Sequence, residues 1–74
     1  MPPLPTLRPK EAVAAFERLG WQVVRRRGSH IVMCKPGEVA TLSVPDHDQV
    51  AKGTLRALIR SANLTVAEFL EALE

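Results

Sequence analysis

Trp21-Gln22-Val23-Val24-Arg25-Arg26-Arg27-Gly28-Ser29-His30-Ile31-Val32-Met33-Cys34-Lys35-Pro36-Gly37 is the stretch whose pattern decides the fold. Its apolar and polar residues alternate on either side of a short break, the period of strands with one buried face. In the first run, Trp21 to Arg26, Trp21 and Val23 share one face, while Gln22, Val24 and Arg26 share the other. Arg27-Gly28-Ser29 reads as a turn. His30 to Lys35 reads as a second strand, with Ile31 and Met33 inward and His30 and Val32 on the opposite face. Pro36-Gly37-Glu38 is a second turn, because proline presets one central angle and glycine accepts a positive one. Val39 to Val44 supplies a third strand with Ala40, Leu42 and Val44 inward. Three strands joined in this way predict an antiparallel meander.

Outward from the strands the period changes to that of helices. Pro9 suits a first helical turn, and Ala12, Val13, Phe16 and Leu19 follow at helical spacing until Gly20 ends the run. The proline-rich residues 1–8 before it are expected to be extended. Beyond Pro45 lies a polar loop, Asp46-His47-Asp48-Gln49, and then a helix from about Thr54 with Leu55, Leu58, Ile59 and Ala62 as its apolar stripe. Asn63 closes that helix. Thr65-Val66-Ala67-Glu68 is a capping-box pattern that opens a last short helix, whose Val66, Phe69, Leu70 and Leu73 fold back onto the core. The expected order is α-β-β-β-α with a small extra helix, an α+β single domain over residues 1–74. The helices cover one face of the sheet. Alternation leaves Gln22, Val24, Arg26, His30, Val32 and Cys34 on the open face.

Composition narrows the class of protein. With 46% hydrophobic and 24% charged residues the chain is globular rather than disordered. It contains no apolar run near the roughly 20 residues of a membrane span, and its start lacks the pattern of a signal peptide. A single cysteine, Cys34, makes no internal disulfide and reads as a small strand residue, so a reducing cytoplasm is the expected compartment. The net charge of +2 divides unevenly: residues 1–37 hold seven basic against two acidic residues, and residues 38–74 hold three against six. A basic front half points to a polyanion as partner.

The residues around the break can do chemistry on one such polyanion. RNA carries its own nucleophile, the 2′-hydroxyl beside each phosphate, so a group that takes its proton and cations that hold the phosphate can suffice. Histidine as a side-chain type titrates near neutrality, and arginine grips two phosphate oxygens at once. His30 with Arg25, Arg26, Arg27 and Lys35 is therefore a candidate minimal set. Carboxylates at metal-ligand spacing are missing, which argues against a two-metal nuclease, and no cofactor is expected. Gly28 provides a tight turn, and Ser29 either bonds a phosphate or caps that turn. His47 is either a second proton-transfer group or a residue that orders its loop. Lys52 and the N–H groups after Gly53-Thr54 can hold a phosphate at a helix N-terminus, a role compatible with capping. Trp21 and Phe16 fall on the inward pattern and read as core.

The run from Gly20 to Gly28-Ser29-His30, with its basic triplet, resembles the signature of the HicA family of bacterial and archaeal toxins. Val44-Pro45-Asp46-His47 resembles that family's Val-Pro-x-His, and Lys52-Gly53-Thr54-Leu55 its Lys-Gly-Thr-Leu, so the similarity spans roughly residues 9 to 70. The resemblance implies a double-stranded-RNA-binding-domain-like fold and an mRNA interferase whose catalytic histidine is His30. It also implies a HicB-type antitoxin partner. The triple arginine departs from the family's usual single arginine followed by polar or basic residues, and the proline-rich start is also unusual. Without the resemblance, the residues lead as far as a basic α/β domain facing RNA, and a non-catalytic RNA-binding module or a protein-docking domain fits the same pattern.

Overall fold

A computed structural model of the chain describes residues 3–73. The elements run α1 (Pro9–Arg18), β1 (Gln22–Arg27), β2 (His30–Cys34), β3 (Leu42–Pro45), α2 (Lys52–Ser61) and α3 (Val66–Ala72). This is the expected α+β arrangement, with a three-stranded antiparallel sheet in the order β1-β2-β3. Met1 and Pro2 of the expected extended segment lie outside the described residues. From Pro3 to Arg8 there is no helix, and Leu4 and Leu7 are buried. Leu7 forms an isolated antiparallel bridge with Val50, so this segment is pinned to the loop that leads into α2.

The helix ends follow local chemistry. Pro9 opens α1, and Glu11 reaches back to accept from the Arg8 N–H at 2.9 Å. At its other end Gly20 has φ +100, and the Gly20 and Trp21 N–H groups close onto the Glu17 and Phe16 carbonyls. That is a Schellman closure, with Trp21 packed as its apolar residue. α2 ends the same way: Asn63 takes φ 61, and Asn63 and Leu64 donate to Arg60 and Ile59. The Thr65–Glu68 capping box forms in both directions. α2 itself starts two residues before the expected Thr54, because the extended Ala51 serves as its N-cap.

α1 packs on β1 and β3, α2 packs on β3, and α3 lies against α1 and α2. Between these layers sits a core of Phe16, Trp21, Ile31, Met33, Leu42, Val44, Leu55, Ile59 and Phe69, all buried. The Phe16 and Phe69 rings meet at 4.9 Å with their planes inclined by 52°. Arg18 adds a hydrogen bond from Nη1 to the Ala72 carbonyl at 2.6 Å.

Two strand readings change. The third strand was expected from Val39, but pairing begins only at Leu42, opposite Met33, and extends to Pro45, opposite His30. The turn is where expected, with the Glu38 N–H bonded to the Lys35 carbonyl and Gly37 at φ +86. A type II turn of this kind splays the flanking strands instead of matching their twist, so the chain needs further residues before it pairs. Val39 is fully exposed as a result. Strict alternation also fails in β1. The register passes from Val23 opposite Met33 to Arg25 opposite Val32, so Val24 is an extra residue in a β-bulge.

The last helix belongs to the core rather than hanging from it, because Phe69 is completely buried. Replacing Phe69 with Ala is expected to cost about 3–5 kcal/mol, read as a lowered urea midpoint with an unchanged slope.

Candidate functional site

Partners across an antiparallel ladder share a face, so the register sorts the strand residues directly. The covered face holds Val23, Met33 and Leu42 in one row and Arg26, Ile31 and Val44 in the next. The open face holds Arg25, Val32 and Ser43, and then Arg27, His30 and Pro45. Gln22 and Cys34 pair at the far end of the same face. The bulge at Val24 therefore corrects the expected face of the arginines. Arg26 is turned away from His30, while Arg25 and Arg27 are brought to its side.

His30 is the first residue of the central strand and is exposed. It is set between Arg27 on β1 and Pro45 on β3. The turn that delivers it is Gly28-Ser29, with Gly28 at φ +60. Ser29 has no positive φ, so the positive angle is confined to the first central residue, the pattern of a type II′ hairpin turn. A Cβ on Gly28 would meet nothing within 4 Å, so glycine is needed there for its backbone angle and not for space. The Ser29 carbonyl accepts from the Asp46 N–H at 2.7 Å, and Asp46 forms an ion pair with Arg26. The Ser29 side chain is exposed and neither caps the turn nor bonds any described residue.

The remaining candidates separate. Lys35 follows the opposite end of β2 from His30, and its stem lies over Gly20, where an added Cβ would come within 3.0 Å of it. His47 is exposed on the loop after β3, and it lines a polar depression with Arg8, Lys10, Asp46, Asp48 and Gln49. Its loop is ordered by the Asp46 bonds and by the Val50 N–H donating to Leu7 at 2.7 Å. Lys52 and Thr54 are exposed in the first turn of α2, and no side chain caps that helix, so Thr54 is not its cap. Trp21 and Phe16 are buried in the core, as expected. Cys34 is free and half-buried, with its Sγ 3.8 Å from the Thr41 hydroxyl.

Asp46 is the site residue that sequence reading missed. It lies 20 positions from Arg26, and only the closing of β3 against β2 brings the two together. Among the described residues no three His, Cys, Asp or Glu side chains gather where a metal ion could be held. Nor, among them, is any helix long and apolar enough to cross a membrane.

What this open face can do is bind an anion with two arginines and offer it an imidazole. Arg25 and Arg27 form no ion pair with any described residue, so their charge is not already neutralised. A comparison with protein families matches residues 9–64 to a family described as the HicA toxin of bacterial toxin-antitoxin. Curated proteins gave no match. The matched stretch contains α1, the whole sheet and α2, and it ends just before α3.

Substitution of Gly28 by Ala forces a side chain into the positive-φ region and should cost about 1–3 kcal/mol. Urea unfolding would register the loss, and Gly37→Ala, at the other turn, provides the comparison for a position remote from His30.

Proposed function

The chain belongs to the HicA family of toxins from bacterial toxin–antitoxin systems, and we propose that it is a metal-independent endoribonuclease that cleaves mRNA and so blocks translation. The observation that carries this reading is the row Arg27-His30-Pro45 on the uncovered face of the sheet, with Arg25 in the row beside it. An imidazole and two cationic guanidinium groups are offered on one accessible surface, which is what cleavage by the RNA's own 2′-hydroxyl requires.

In that reaction Arg25 and Arg27 hold the scissile phosphate and offset the charge that builds on its oxygens. His30 moves a proton, as base toward the 2′-hydroxyl or as acid toward the departing 5′-oxygen. The 2′-oxygen bonds to phosphorus as the P–O5′ bond breaks, which leaves a 2′,3′-cyclic phosphate and a 5′-hydroxyl. No cofactor takes part. His47, Lys52 and Thr54 lie on exposed loop and helix-end positions suited to flanking nucleotides, and Gly28 and Ser29 shape the edge of the site. The toxin has an antitoxin partner, which we take to be of the HicB type, and cleavage of mRNA places its action in the cytoplasm.

Expression of the wild-type chain should arrest growth, and His30→Ala should relieve the arrest while retaining the wild-type unfolding midpoint. Purified protein should shorten mRNA in the presence of a chelator, leaving cyclic-phosphate ends. A requirement for added divalent metal would refute the metal-free route. Unchanged RNA binding and unchanged growth with His30→Ala would mark a non-catalytic RNA-binding module instead.

A further inference from the structure

The basic triplet is not one patch. We propose that its three arginines divide into two functions: Arg25 and Arg27 bind the phosphate, whereas Arg26, paired with Asp46, is a positioning residue that clasps the turn carrying His30. This division rests on the RNA-cleaving reading above and assigns its parts.

The bulge at Val24 is the first reason. It advances the alternation by one residue, so Arg26 pairs with Ile31 on the covered side, while Arg25 and Arg27 pair with Val32 and His30 on the open side. The second reason is electrostatic. Arg26 is the arginine of the three that meets a carboxylate, and binding a phosphate would mean giving up Asp46 as well as crossing to the other face. Arg25 and Arg27 have no such competitor among the described residues.

The third reason is where the clasp lies. Arg26 lies two residues before the Gly28-Ser29 turn and Asp46 follows β3 directly, so the two side chains span the end of the sheet beneath the turn. Within the same span the Asp46 N–H bonds the Ser29 carbonyl, and Pro45 pairs with His30. Asp46 thus holds the Ser29-His30 corner by its backbone and the incoming strand by its carboxylate. Both side chains are partly exposed, so the pair adds little to global stability. Its effect is local, because a proton-transfer group displaced by about 1 Å can lose a large factor in rate.

The test measures RNA cleavage as kcat and KM, and RNA affinity in a His30→Ala background over a range of salt. Arg25→Gln and Arg27→Gln should each raise KM, lower kcat and reduce the salt slope by about 0.7, the loss of one phosphate contact on a single strand. Arg26→Gln and Asp46→Asn should leave that slope unchanged and lower kcat by equal factors, on the order of 10-fold. Combining the two should lower kcat no further, and the exchanged pair Arg26→Asp with Asp46→Arg should restore much of it. Faster exchange of the residue 46 amide, which donates to the Ser29 carbonyl, and of the His30 amide in Asp46→Asn would report the loosened corner without RNA. The division is overturned if Arg26→Gln flattens the salt slope as its neighbours do while Asp46→Asn tightens RNA binding, since Arg26 would then be a phosphate ligand masked by Asp46. A wild-type chain that fails to cleave overturns the RNA-cleaving reading itself. Cleavage that is normal in wild type and in Asp46→Asn overturns the clasp alone.

Discussion

One-sided burial of a three-stranded sheet governs this molecule. Ile31 and Met33 on the central strand and Leu42 and Val44 on β3 are buried with Phe16, Leu55 and Ile59 from the helices. Each such side chain contributes about 1.5–3 kcal/mol by leaving water. The entropy of ordering so short a chain opposes a comparable total, so little is left for a second covered layer. All three helices are accordingly used on one side or against one another. The face left over presents Arg25, Arg27 and His30 to solvent, while Val32 between them is buried.

On that surface the decisive device is small. One extra residue in β1 changes which arginines accompany His30, and one glycine with a positive φ turns the chain tightly enough to start the central strand with it. A histidine on a central strand is held by ladders on both sides, whereas the basic residues lie on an edge strand. The arrangement suits a rigid proton-transfer group beside cations with more freedom to follow a phosphate. The bulge also interrupts an otherwise long and exposed edge, and with Arg25, Arg26 and Arg27 it discourages pairing with other sheets.

So small a domain can serve as a toxin because its proposed substrate carries much of the chemistry. With the nucleophile supplied by RNA, the protein needs one titratable ring, a few fixed charges and a scaffold that keeps them apart from the core. The antitoxin that accompanies a protein of this family meets a chain whose open face combines uncompensated positive charge with exposed Val24 at its edge.

Much of this was legible in the chain itself. The periods of Trp21 to Val44 and of the flanking helices, with Pro9, Gly20, Asn63 and the Thr65–Glu68 box as their punctuation, act over a few residues, and local sterics and capping suffice to express them. The place of His30 at the start of a strand was legible too. The tertiary structure decided what depends on partners distant in sequence. The start of β3 waited on how far the Pro36-Gly37 turn splays the strands. Above all, a ladder register arises between strands, so the bulge at Val24 and the resulting faces of Arg25, Arg26 and Arg27 have no signature within β1 alone. Asp46 joined Arg26 for the same reason: pairing of β3 with β2 closes a gap of 20 residues that no local rule spans.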